Sequence, residues 1–182
     1  MAEIKLKIRV LGDPALRKKS VPLKKITEEH RKLLSLMAQL MYTCEGIGLA
    51  ASQVGINECL MVADIGEGLY KLVNPEIAKR KGRQILEEGC LSVPEISIKV
   101  KRAKSVTVKG LDEYGKQVLI NAEGLLACVF QHEIDHLKGK LIVDYASLLD
   151  KIKIRNKMAK LKKRARDEKL PQSETESGRL QL

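Results

Sequence analysis

The chain has 182 residues, 44% apolar and only 3% aromatic, and carries a net charge of +11. That length fits one domain with an aliphatic core, and a chain with no Trp and one Phe is poorly suited to stacking bases on aromatic platforms. No run of about 18 apolar residues occurs, so no membrane-spanning helix is expected.

Residues 1–10 alternate charged and apolar side chains and lack the apolar stretch of an export signal. Residues 5–10 read as a short strand that ends at the turn Leu11-Gly-Asp-Pro14. From Thr27, a candidate N-cap, to about Cys44, the apolar residues Leu33, Leu34, Met37, Leu40 and Met41 follow helical spacing. Gly46-Ile-Gly-Leu-Ala-Ala-Ser-Gln53 is too Gly-rich to continue that helix. Strand-like pieces follow at 59–63, 70–73, 96–100, 105–109 and 117–120, separated by turn signals. A second helix is expected from an Asn121 cap to Gly139, then a last strand at 141–145 and a basic helix at 147–166.

This order of elements predicts an α+β fold: a compact single domain of short, mostly antiparallel strands around a central helix, with a helix at the C-terminal side. Residues 1–166 would form the domain, and the polar stretch 167–182 would be a disordered tail. Cys44, Cys59, Cys90 and Cys128 form no CxxC pair, so they are expected to be reduced thiols in a cytoplasm. The charge is uneven. Residues 151–170 hold ten Lys or Arg against Asp167 and Glu168, which is +8 of the total of +11. Attraction to polyanions therefore belongs to the C-terminal helix.

The strongest local signal is His132-Glu-Ile-Asp-His136 within the second helix. Two His one turn apart lie on one helix face, where both rings can reach a single metal ion and the intervening Glu133 can reach its water. A pair of surface histidines is the rival reading, but the chain has only three His and two of them fall at ligand spacing. A catalytic site generally needs a third protein ligand and an open position. His30, among Glu28, Glu29, Arg31 and Lys32, reads as solvated. Cys128, two turns before His136, lies too far along the axis to share an ion with both histidines and reads as lining the site. Cys59 reads as core, and Cys90 ranks only modestly above Cys44, because Gly89 and Pro94 mark an irregular segment suited to presenting a side chain.

Three segments together resemble the signature motifs of the peptide deformylase family: Gly46-Ile-Gly-Leu-Ala-Ala-Ser-Gln53, Glu88-Gly-Cys-Leu-Ser92 and Gln131-His-Glu-Ile-Asp-His136. Their order and spacing match as well, as does Leu11-Gly-Asp-Pro-Ala-Leu-Arg17. The resemblance implies a hydrolase that removes the formyl group from the N-terminal formyl-Met of new chains. It makes Cys90 the third ligand beside His132 and His136, usually for Fe²⁺, with Zn²⁺, Ni²⁺ or Co²⁺ able to substitute. Glu133 would carry protons, and the Gln53 side chain and the Leu91 N–H would hold the developing oxyanion. Gly46, Ile47, Gly48 and Gly89 would lie along the bound peptide, Glu88 would hold the frame of the site, and Leu125, Cys128 and Val129 would seat the Met side chain. Asp135 reads as solvated. Many family members carry an Arg near position 97, where this chain has Ser97, so Lys99 or Arg102 are candidates to replace it. The basic helix suits a contact with the ribosome, with no membrane and no sequence-specific nucleic acid as partner.

Two other classes remain to be weighed. Zinc endopeptidases share the HExxH pattern, but their third ligand usually lies downstream, and no His or Cys follows His136. An RNA-binding module with a structural metal would normally close its site with four protein ligands.

Overall fold

The computed structural model describes residues 6–168. Helix α2 (Gly124–Leu137) lies at the centre, with ten of its fourteen residues buried. A helix apolar on most of its circumference must be covered on most sides. One cover is a five-stranded antiparallel sheet in the order β1 (Gly48–Ala50), β2 (Leu60–Ala63), β3 (Tyr70–Lys81), β6 (Ser105–Leu111) and β7 (Gln117–Glu123). The remaining strands, β4 (Gln84–Glu88) and β5 (Ile98–Arg102), form a separate antiparallel pair.

Strand β2 shows how the layers are made. All four of its residues are buried, because alternate side chains enter different cores. Met61 and Ala63 pack with Phe130 and Ile134 of α2, while Leu60 and Val62 pack with Leu34 and Met37 of α1 (Glu28–Thr43). Phe130, the only Phe in the chain, is fully buried and meets the Tyr70 ring edge-on at 5.3 Å. A third cluster joins Val93, Ile98, Val100 and Ile142 to Ile154, Met158 and Leu161 of α3 (Leu148–Asp167).

The α+β arrangement and the first helix agree with the sequence reading; several details do not. Residues 6–10 form no strand; the Arg9 N–H donates to the Gln53 carbonyl at 2.7 Å, and Leu6 and Ile8 pack against the core. Residue 5 and the expected tail beyond 168 lie outside the described residues. Asn121 is not a cap. It sits inside β7 opposite Thr107, whose hydroxyl donates to its Oδ1 at 2.8 Å, and the chain turns into α2 only at Gly124, with φ +56°. Residues Ile142–Tyr145 form a 3-10 turn instead of a strand, since the Asp144 carboxylate accepts the Leu141 N–H and so favours a tight local turn. Strand β3 runs on to Lys81, and β4 was not expected at all.

Candidate metal centre

Two segments distant in sequence meet at α2. Cys90 follows β4, and His132 and His136 stand one turn apart on the helix. His136 Nε2 lies 3.2 Å from Cys90 Sγ and 3.1 Å from His132 Nε2, and the three donor atoms lie within 4.8 Å of one another. Among the described residues this is the one group of three His, Cys, Asp or Glu side chains able to hold an ion.

The surrounding groups hold the donors in place. Glu88 Oε2 is 2.9 Å from His132 Nδ1, which leaves Nε2 facing the other donors. Arg102 grips the same carboxylate, with Nε donating to Oε1 at 2.7 Å and Nη2 to Oε2 at 2.9 Å. The Cys128 thiol donates to Oε1 at 3.1 Å. Burial opposes the Glu88 charge, yet Arg102 and His132 outweigh it and bring the carboxyl down to about 2. Arg102 Nη1 also donates to Asp135, the Tyr145 hydroxyl donates to Asp135 at 2.6 Å, and the guanidinium lies over the Tyr145 ring at 4.8 Å.

His132 and His136 differ sharply. Burial disfavours a charged His132, but Cys90 and Glu88 outweigh it and hold its pKa well above the ordinary value. Burial, then the neighbouring His132 and Arg102, push His136 well below. Glu133 faces the same space. Burial raises its carboxyl to about 7, and its Oε2 has no hydrogen-bond partner, a costly arrangement for a group without a task. Gly48 makes room for it, since a Cβ there would collide with the Glu133 carboxylate.

A cleft of about 490 Å³ opens over these groups. Gly46, Ile47, Gly48 and Gln53 line one side, and Glu88, Gly89, Cys90 and Leu91 line the other. Leu125, Cys128, Val129, His132 and Glu133 form the α2 wall, so every site residue named from sequence lines the cleft except His136, which lies behind it. Gln53 Oε1 accepts the Ala50 N–H at 2.8 Å, and its Nε2 points to Ser92 Oγ at 3.3 Å and Cys90 Sγ at 3.7 Å.

Three expectations change. His30 is not solvated: its Nδ1 accepts the Thr27 N–H at 2.9 Å, at the start of α1. Asp135 is likewise engaged, by Arg102 and Tyr145. Arg102 cannot stand in for an arginine at position 97, because it is only 6% exposed and bound to two carboxylates. Both Glu88 oxygens turn to Arg102, His132 and Cys128. The sequence reading missed the part played by Tyr145, and missed Glu45, Leu86 and Glu87 at the cleft. The Leu86 and Glu87 contribution was findable only by recognising β4.

Residues 5–152 match the model of the polypeptide deformylase family. The peptide deformylase of Halothermothrix orenii is 54% identical over 141 residues, covering 76% of this chain and 92% of that protein. That of Carboxydothermus hydrogenoformans is 52% identical over 140 residues, covering 77% and 92%. Among solved structures, the peptide deformylase of Legionella pneumophila aligns with a TM-score of 0.82 at 43% identity, covering 91% of this chain and 99% of that one. The Thermus thermophilus enzyme aligns at 0.83 and 35% identity, covering 87% and 98%. The chain belongs to the peptide deformylase family.

Proposed function

We infer that this chain carries out the reaction of its family: it is a metal-dependent hydrolase that removes the N-formyl group from newly made polypeptides and releases formate. One observation supports this particular site most strongly. A thiol and two imidazoles converge beside a buried carboxylate oxygen with no partner, and Cys90, His132 and Glu133 of this group line an open cleft.

The donors suit an ion. Two Nε2 atoms and one Sγ face each other at 3.1 and 3.2 Å, and imidazole with thiolate is the set that borderline divalent metals favour. We assign Cys90, His132 and His136 as its ligands and Fe²⁺ as the resident ion, with Zn²⁺, Ni²⁺ or Co²⁺ as substitutes. When bound, such an ion supplies Lewis acidity and makes water nucleophilic near neutral pH.

Glu133 is the proton carrier in this reading. Its buried carboxyl, raised to about 7, can take a proton from the attacking water and return it to the departing amine. Gln53 Nε2 and the Leu91 N–H donate to the oxygen as charge develops on it. In support, the Leu91 N–H donates to no group among the described residues, and the bond from Ala50 holds the Gln53 amide in one orientation. Gly46, Ile47, Gly48 and Gly89 present backbone to the peptide along the two rims, and Leu125, Cys128 and Val129 wall the seat of the Met side chain.

Helix α3 supports a contact with the ribosome, and with it work in the cytoplasm. It displays nine Lys or Arg against Asp150 and Asp167, and a helix so charged gains from counterion release beside RNA. Among the described residues no helix is long and apolar enough to cross a membrane. Formate release from a formyl-Met peptide, run beside cleavage of an unformylated peptide, tests the reading. Release from the first with no cut in the second is expected; the reverse would make the protein an endopeptidase.

A further inference from the structure

Glu88 bridges two successive turns of α2. Its Oε2 meets His132 Nδ1 at 2.9 Å, and its Oε1 accepts the Cys128 thiol at 3.1 Å. Residues four apart stand on one helix face, so a single carboxylate reaches both. Arg102 supplies one donor to each oxygen from the opposite side. A carboxylate has about four acceptor positions, and here four donors fill them. Removing any one leaves a buried acceptor open and lets the carboxylate turn toward the donors that remain.

We propose that Cys128 is a positioning residue: its thiol fixes the Glu88 carboxylate, and through it the His132 ring, in the orientation that holds the metal. The role rests on the ligand set proposed above and goes beyond that of a wall for the Met side chain. The thiol must keep its proton to act this way. Burial, together with the Glu88 hydrogen bond and charge, pushes its pKa up to about 12. At 5% exposure the S–H is sheltered from water that would otherwise take over its bond. Cys128 therefore has two faces, its sulfur proton turned to the frame of the site and its remaining surface to the cleft.

Three variants separate the two duties. Cys128→Val keeps the bulk and removes the donor, Cys128→Ser keeps a donor, and Cys128→Ala removes the donor without adding a methyl group that could overpack. Each protein, and the wild type, is loaded with Zn²⁺, and metal release into excess chelator is followed over time. Losing a direct partner of a metal-bound His costs about 10–100-fold in affinity, so a loss acting through Glu88 should speed release about 3- to 10-fold in Cys128→Val and Cys128→Ala. Cys128→Ser should release as slowly as the wild type. On a formyl-Met peptide the loss in the Val and Ala proteins should fall on kcat more than on KM. Release at the wild-type rate in both Val and Ala proteins, or equally fast release from Cys128→Ser, would overturn the proposal, as would a change in KM alone. Wild-type protein that retains no Zn²⁺ would remove the ligand set itself.

Discussion

Helices α2 and α3 meet opposite surroundings. Ten of the fourteen residues of α2 are buried, whereas Ala165 is the only buried residue among the twenty of α3. Both carry charged groups, but those of α2 are largely out of water and must find protein partners: His132 takes Glu88, Asp135 takes Arg102, and Glu133 keeps an unpartnered oxygen beside the proposed metal ligands. On α3 water serves instead, and the partners are exposed, such as Asp150 with Lys153. The contrast shows where chemistry can be built. A buried polar network fixes orientation and shifts pKa values, while an exposed one contributes net charge and little else.

The largest expected effect breaks α2's side at its metal. Cys90→Ser should weaken metal binding by more than the roughly 10–100-fold typical of a lost outer partner, because a ligand itself is replaced. Chelator competition measures this. Cys44→Ser serves as the control, and loss of metal there with retention in Cys90→Ser would show that the wrong thiolate was chosen.

Next comes the ion network. Arg102→Met leaves the buried Glu88 and the half-buried Asp135 without their cation and should cost about 3–5 kcal/mol in denaturant unfolding. The same change at exposed Arg155 on α3 should leave the midpoint nearly unmoved. Equal effects at the two positions would erase the distinction between the helices. Packing gives a parallel pair: Phe130→Ala should cost about 3–5 kcal/mol, and Leu149→Ala, at 70% exposure, almost nothing.

The smallest effect on the fold concerns α3 alone. Changing Lys151, Lys153 and Arg155 together to Gln should leave formate release from a short peptide unchanged. Ribosome co-sedimentation should lose up to about two to three units of its salt slope. Substitution is cleaner than deletion, because removing α3 would also strip Ile154, Met158 and Leu161 from the third core cluster. An unaltered salt slope would take the ribosome away as a partner of this helix.

These features were unequally legible in the sequence. His132 and His136 could be read from spacing alone, since helix geometry is local. Cys90 could not: it reaches the site only because β4 and β5 pair and deliver the segment just past Glu88 to α2, so its assignment leaned on family resemblance. Strand β4 escaped notice because Gln84-Ile-Leu-Glu-Glu88 has little β-branched character and exposes its one β-branched residue, Ile85. Asn121 looked like a helix cap because its cross-strand bond to Thr107 leaves no local trace. Arg102, Asp135 and Tyr145 each look like ordinary surface residues in a chain of this charge. Only the fold makes them one cluster, and that cluster removed Arg102 from the candidates for holding substrate.

The claim at the centre is that the buried Glu133 carboxylate, with one oxygen unpartnered, moves the proton while Cys90, His132 and His136 hold the metal. Metal content and formate release measured on the same Glu133→Ala samples test it most directly. Full metal occupancy, an intact fold and a rate lower by at least about 10²–10⁴-fold are expected, the usual share of general acid–base catalysis. A fully metallated Glu133→Ala protein that deformylates near the wild-type rate would contradict the account and place the proton carrier elsewhere.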